Sequence, residues 1–331
     1  MGIHKLAHRL RHLLIAGLVI LVGIGTFVGA ARAEWPERQI TIVVCFPAGG
    51  GADLADRLVQ TPLSQALGKP VVVENRGGAS GSIATIAVSR MAPDGYTLLG
   101  CSSAYAVNPS LFEHVKYDAL TAMEPITVLG ASPNVFVVPT KSKFKTMKDL
   151  IAYAKANPGK LNWTSPGLGT TPQLSGELLK QREGLNMVHI PFTGAGPAAV
   201  AVIAGQVDMY VANYASVTGL LNGGQVRPIA VTSKTRYRLL PDVPTLAELG
   251  IKDAESDTFQ ALFAPAGTPK SVIARLAKEL KAILARPDIR EKFDKLGLPV
   301  VAEGPVHFRA RLAREVPMYK DIIDKAGLRT K

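Results

Sequence analysis

The sequence predicts an α/β protein built on parallel strands, and three observations carry that expectation. Residues 40–59, ITIVVCFPAGGGADLADRLV, read as a β-branched strand, a turn of small residues and a helix with Leu54, Leu58 and Val59 at helical spacing. Strand and helix then alternate up to residue 101, the pattern of a parallel sheet with covering helices. The same unit of strand, small-residue loop and helix start returns at residues 161–172.

The first 33 residues stand apart from this pattern and read as an export signal. Lys5, Arg9 and Arg11 open it, residues 13–29 are apolar, and Ala31-Arg32-Ala33 forms an A-x-A cleavage site. Gly17, Gly23, Gly25 and Gly29 within the apolar run argue against an uncleaved anchor. The mature chain is expected to begin at Glu34 and to reside in the periplasm. The signal holds four basic and no acidic residues, so the formal net charge of +12 falls to +8 on its removal. That charge is spread without basic blocks or interleaved aromatics, which argues for a solvated surface and no nucleic-acid partner. Only His114, His189 and His307 remain in the mature chain, and there is no CxxC or HExxH, so no metal and no cofactor is expected. The remaining 298 residues are many for one core, and two domains are expected.

Taken in order, residues 40–46 form the first strand, and Gly49, Gly50 and Gly51 leave the backbone open to approach before a helix that begins near Asp53. A helix N-terminus presents unpaired N–H groups and partial positive charge, so it attracts an anion. Pro47, Ala48, Gly49, Gly50, Gly51 and Ala52 are therefore candidate donors to a small carboxylate, the alternative being a tight turn that packs strand on helix. Asp53 fits a helix cap better than a ligand contact. A second strand (70–74), a glycine-rich loop (75–81), a helix (82–91), the turn Pro93-Asp94-Gly95 and a third strand (96–101) follow. The loop 102–105 leaves that strand on the same rim as residues 47–52, since ligands of open parallel sheets bind beyond the strands' carboxyl ends. Ser103 and Tyr105 are candidates there. Cys45 and Cys101 each end a strand. They would bridge only if those strands are neighbours, and two buried thiols are favoured because bridge geometry is demanding.

Residues 135–138 form a further strand, and Thr146 with Asp149 resembles a capping box opening a helix to residue 157. After a strand at 161–164, the loop 165–171 leads into a helix with Pro172 at its first position and Thr171 as its cap. Ser165, Gly167, Gly169, Thr170 and Thr171 offer hydroxyls and amides from this second unit. A strand (187–191) leads to the loop with Thr193 and Gly194, then to a helix (197–204) and a strand (207–211) that carries Asp208. Asp208 can hold ligand or make a structural hydrogen bond; His189 reads as a satisfied core histidine. Strands at 225–232 and 259–264 follow, and the remainder reads as helical: 268–285, 287–296 and 306–326.

With these pieces placed, the chain resembles the substrate-binding proteins of tripartite tricarboxylate transporters, the Bug receptors. The matching stretches are VVCFPAGGGADLADR, VVVENRGGASGSIA, PDGYTLL, NPGKLNWTSPGLGTTPQLSGELL, HIPFTGAGPAAVAVIAGQVD, RPIAVTSKTR, LPDVPTLAELG and APAGTP, which cover nearly the whole mature chain in order. The resemblance implies a periplasmic-binding-protein-like fold: two α/β domains with the ligand in the cleft between them. The implied division is 34–136 plus 259–331 for the first domain and 137–258 for the second, with crossings near residues 137 and 258. It also implies a monomer served by an inner-membrane tripartite tricarboxylate-type permease. Cys45 stands where the family usually has proline, Gln173 where it often has histidine, Phe192 for tyrosine and Thr193 for lysine. Most members bind small carboxylates, often dicarboxylates, and these departures point to a ligand with an aromatic or apolar body.

The function expected is capture of a small organic acid in a cleft that closes on it, without catalysis. A periplasmic sensor in signalling is an alternative with the same fold. A nicotinamide-dependent enzyme fails because Leu54 stands where the fingerprint after Gly49-x-Gly51 needs a third small residue. An exported hydrolase lacks G-x-S-x-G, since Gly78-Ala-Ser-Gly-Ser82 has no closing glycine.

Overall fold

The computed structural model describes residues 35–330 apart from Thr193. The expected signal and its cleavage site lie outside the described residues. Residues from Arg38 onward form one compact unit.

The first half of the chain folds as the alternation predicts. Strand β1 (Ile40–Val44) leads into helix α1 (Gly51–Leu67), β2 (Val71–Asn75), α2 (Ser82–Ser89) and β3 (Thr97–Ser102). Helix α1 buries Ala52, Ala55, Val59, Leu63 and Leu67, one stripe at three- and four-residue spacing, and stops at Gly68 in the left-handed conformation. β1 lies between β2 and β3 and is parallel to both. The chain after β3 turns at once into α3 (Ala104–Leu111), which the sequence reading leaves as loop; Asn108 and Pro109 inside it mask its helical character.

Strand β4 (Met123–Pro139) joins the two halves of the molecule. Its first part pairs antiparallel with β9 (Asp257–Pro265), and its second part, from Asn134, pairs antiparallel with β7 (Met209–Asn213) and β8 (Val226–Val231). The sequence reading finds only its last residues. Pro125 and Pro133 interrupt the alternation, and the pairing with β9 shifts register between Pro125 and Thr127, where a missing N–H is tolerated.

The second half contains α4 (Met147–Ala156), β5 (Asn162–Ser165), α5 (Thr171–Glu183), β6 (Val188–Pro191), α6 (Ala195–Ile203) and α7 (Tyr214–Asn222). The Thr146–Asp149 capping box is present in both directions. The cap of α5 is Thr170, not Thr171: the Thr170 hydroxyl accepts from the Gln173 N–H, and Thr171 is already helical. The chain closes with α8 (Lys270–Ala285), α9 (Pro287–Lys295), β10 (Val300–Glu303) and α10 (Pro305–Ala326). β10 pairs with β4 within the segment expected to be wholly helical.

The strand order is β2-β1-β3-β9-β4-β7-β5-β6, with β8 and β10 also on β4. β9 is therefore slotted between β3 and β4, although it follows β3 by more than 150 residues. One hydrophobic cluster runs beneath both halves, from Val43, Leu99 and Phe263 to Trp163 and Leu178. A second, with Val135, Tyr210, Val217 and Val231, packs α6 and α7 onto the other face of the second half.

Candidate functional site

The carboxyl ends of the strands face a cavity of about 450 Å³, within the range of small-molecule sites. Four helix starts line it: Gly51 of α1, Ser103 and Ala104 at α3, Thr170 and Thr171 at α5, and Asn213, Ala215 and Ser216 at α7. Two of these elements belong to the first half and two to the second. The N-cap residues of α1 and α3, Gly50 and Ser103, make no side-chain cap, though Ser102 Oγ accepts from the Ala104 N–H at 3.2 Å, whereas Thr170 caps α5 and Asn213 caps α7. The remaining lining is neutral: Phe46, Leu54, Ser80, Val107, Asn108, Leu168, Thr258, Gln260, Leu296 and Leu298 are among it. Among the described residues no Asp, Glu, Lys, Arg or His lines the cavity. A hollow of about 520 Å³ adjoins it, formed by Phe46 through Ala52 with Ser102, Thr258 and Gln260.

The site is thus electropositive without a cation. Each helix start brings roughly half a unit of positive charge and a set of N–H groups, and the cavity walls keep both in a medium of lowered dielectric. Gln260, 6 % exposed, has its Oε1 without a hydrogen-bond partner, and its Nε2 lies 3.4 Å from where a Cβ on Gly51 would be. A buried polar atom left unpaired in this way carries a desolvation cost that a ligand's donor or an ordered water would relieve.

The loop before α1 is held from below by Asp53. Its Oδ2 accepts from the Gly49 N–H at 2.8 Å, and its Oδ1 accepts from Arg57 Nε and Asn75 Nδ2, each at 2.8 Å. The Asn75 amide also donates to the Phe46 carbonyl, so both ends of the turn are stapled. Asp53 is therefore neither the helix cap nor a cavity-lining residue; Gly50 is the N-cap, and Asp53 is 2 % exposed.

Beneath the loop, Cys45 and Cys101 form a disulfide with a Cα–Cα distance of 5.3 Å. This corrects the expectation of two thiols. β1 and β3 are adjacent and in register, with Val44 opposite Gly100, so the next residue on each strand falls at bridging distance. One helical turn into α1, Asp56 is buried at 2 % exposure with its Oδ2 unpaired. A Cβ on Gly100 would lie 1.8 Å from that oxygen, so glycine alone makes room for the carboxyl group. Burial, and then the neighbouring Asp53 charge, push its pKa well above the ordinary carboxyl value, with Arg57 offsetting part of this. Asp56 accordingly stays protonated in the native protein where the unfolded chain would ionise it, and this costs stability as pH rises above about 4. Asp56→Asn is expected to raise the unfolding midpoint at pH 7.5 by a few degrees, the gain shrinking toward zero at pH 4; melts of both proteins across that range check it. A shift that is the same at every pH would exclude this origin.

In the second half, loop 165–171 is tied internally. Thr170 Oγ1 donates to the Gly167 carbonyl at 2.8 Å, and the Gly169 N–H donates to Gln173 Oε1 at 2.6 Å. Gly169 has a positive φ of 73°, and a Cβ there would meet Leu111 of α3 at 1.9 Å, so the loop leans directly on the first half. The Thr171 and Thr258 hydroxyls meet beside this contact, where the chain enters β9.

Of the residues singled out from sequence, Gly51, Ser103, Gly169, Thr170 and Thr171 line the main cavity, and Pro47, Ala48, Gly49, Gly50 and Ala52 line the adjoining hollow. Five others are placed elsewhere. Tyr105 is fully buried; its ring stacks on Tyr117 at 5.4 Å and lies 4.4 Å from Phe263, because α3 turns that position into the core. Ser165 is buried below its loop, 2.9 Å from His189 Nε2, and Gly167 contributes its carbonyl to the loop's own bonding. Gly194 donates to the Pro166 carbonyl and so backs the loop from behind. Asp208 precedes β7 at the amino end of that strand, away from the cavity, where its Oδ2 accepts from the Asn162 N–H at 2.9 Å. Thr193 lies outside the described residues. His189 packs on Trp163 with centroids 4.3 Å apart, and burial, aided by Lys180, lowers its pKa to about 4. Asn108, Asn213, Thr258, Gln260 and the leucines of the cavity were missed; Asn108 lies in an unrecognised helix, and Thr258 and Gln260 reach the site only through the late insertion of β9.

Among the described residues no helix is long and apolar enough to cross a membrane, and no group of three or more His, Cys, Asp or Glu could hold a metal. The family described as "TctC: Tripartite tricarboxylate transporter family receptor" matches residues 55–328. The chain is similar to the solved periplasmic binding protein BugD, with 35% identity, a TM-score of 0.71, and coverage of 90% of this chain and 100% of that one. It is similar to Rpa4515 of R. palustris, solved with adipate, at 30% identity and a TM-score of 0.74, covering 89% of this chain and 99% of that one. MatC of Rhodopseudomonas palustris, solved with bound malate, shares 28% identity and a TM-score of 0.71, covering 87% and 100%. The fold is thus that of known periplasmic binding proteins, and the chain belongs to the tripartite tricarboxylate transporter receptor family of the Bug type, periplasmic solute-binding proteins that are not enzymes.

Proposed function

We propose that the protein captures a small organic acid in this cavity and hands it to an inner-membrane permease of the tripartite tricarboxylate type. The observation that carries the reading is the convergence of four helix starts, two from each half, on a cavity lined by no charged side chain among the described residues. An anion held there is bound by fixed N–H groups and dipoles, which favour a carboxylate over its neutral amide. The acids held by Rpa4515 and MatC support the same class. In this reading the domains are 34–136 plus 259–331 and 137–258, and they close about the shared strand β4 and the segment entering β9, bringing loop 165–171 onto the ligand. The signal is cleaved after Ala33, the receptor works as a monomer, and Pro47 to Ala52, Ser103 and Gly169 to Thr171 make the contacts.

Neither the dipoles nor the N–H groups titrate, and His189, neutral above its lowered pKa of about 4, adds no charge change near neutrality. Affinity for a fully ionised carboxylate is therefore expected to change less than twofold from pH 6 to pH 8. Thermal unfolding against mono-, di- and tricarboxylates and their amides tests the reading directly. At a hundred times its dissociation constant the right acid adds about 2.7 kcal/mol and lifts the midpoint by several degrees, while its amide does not. Equal shifts from acid and amide, or no shift from any acid after unfolding and refolding to strip bound ligand, would overturn it.

A further inference from the structure

The cavity is asymmetric in a way that the anion alone does not explain. Neither N-cap residue of α1 or α3, Gly50 or Ser103, bonds its helix through a side chain, although Ser102 Oγ accepts from the Ala104 N–H; both starts belong to the first half, and the Gln260 amide reaches the α1 start with its donor Nε2 nearer Gly51. On the second half, α5 and α7 already have side-chain caps. What the second half offers instead is Leu168, 55 % exposed at the tip of the loop between Gly167 and Gly169. Leu54 of α1, 36 % exposed, lines the same cavity, and Leu296 and Leu298 add apolar surface from the first half. Exposed leucines from both halves on one cavity leave apolar surface that an occupant can bury.

We propose that the ligand is a carboxylic acid with a ring-sized apolar body, its carboxylate at the α1 and α3 starts and its body clamped between Leu54 and Leu168. This deepens the receptor reading and rests on it. Leu168 projects from a loop held by Thr170, Gln173 and Gly194, so closure of the halves carries it as a fixed contact onto the body of the acid.

Titration calorimetry on the protein purified after export, unfolded and refolded to remove carried ligand, tests the proposal with benzoate, cyclohexanecarboxylate, succinate, malate and benzamide. The ring acids are expected to bind at least tenfold more tightly than the two short diacids. Leu168→Ala is expected to weaken the ring acids about tenfold and to leave malate within twofold; Leu54→Ala should act in the same direction. Tighter binding of the short diacids, or equal weakening of both classes by Leu168→Ala, would overturn the apolar clamp while leaving the receptor reading intact. Binding of benzamide as tight as benzoate, or no binding by any acid, would overturn both.

Discussion

Replacing Cys45 and Cys101 together by alanine is expected to cost about 4 kcal/mol of stability. The bridge closes a loop with a sequence separation of 56 residues, and the chain-entropy relation for a loop of that length gives a stabilisation of this size. For a chain of this length the midpoint should fall by roughly 8 °C. Both cysteines are fully buried, so a reductant should act slowly on the native protein and reproduce the loss only after unfolding. The consequence reaches the cavity. The bridge ties the carboxyl ends of β1 and β3 immediately before residues 47–52 and 103–104, the two helix starts of the first half. Carboxylate affinity should therefore fall along with stability. A double variant that melts within a degree of the parent would show that the sheet pairing alone holds these ends together.

Asp53→Ala should produce the second large effect, about 3 kcal/mol of stability and at least tenfold in affinity. The substitution leaves the Gly49 N–H, the Asn75 amide and one side of Arg57 without their common acceptor, and the Asp53 site is too buried for water to replace it fully. Burial by itself would raise the Asp53 pKa, but the Gly49 N–H, the Asn75 amide and Arg57 outweigh it and hold the group below its ordinary value. Such a depressed pKa contributes stability that is present above the unfolded value near 4 and is lost as pH falls through the native one. The gap between parent and variant should thus be constant from pH 5 to 8 and narrow only in stronger acid. Asp53→Asn keeps the shape and loses the charge, so it should fall between the two. Paired melts and ligand titrations of the three proteins decide the matter; an unchanged affinity in Asp53→Ala would mean that the turn holds its shape without the staple.

Much of this architecture is legible in the sequence, and the failures have physical causes. The opening strand, turn and helix are legible because β-branched residues, small residues and an amphipathic stripe follow one another without interruption. Helix α7, with sequence YASVTGLLN, is too short and too rich in small residues to show a stripe, and so one of the four helix starts was missed. Tyr105 was placed on the rim from strand position alone, whereas the turn into α3 rotates it inward. Asp208 shows the opposite limit: its side chain has a clear partner, but only the parallel pairing of β5 with β7 reveals that this end of the sheet faces away from the cavity. The disulfide required knowing that β1 and β3 are neighbours in register, which is a long-range fact. Local patterns report elements; neighbours across the sheet depend on pairings between residues far apart in the chain.

The position of β9 has a kinetic consequence. This strand fills the slot between β3 and β4 and carries Thr258 and Gln260 into the cavity, yet it is made only after every residue of the second half. A chain emerging from its N-terminus can pair β1 with β2 and β3 early, but β3 then presents an open edge until residues 257–265 arrive. The first half cannot finish ahead of the second, because β9 must be inserted between β3 and β4 before the last helices and β10 can pack. Assistance that shields the β3 edge during this wait should matter more to yield than assistance to either half alone, and a chain cut short before residue 257 should aggregate through that edge.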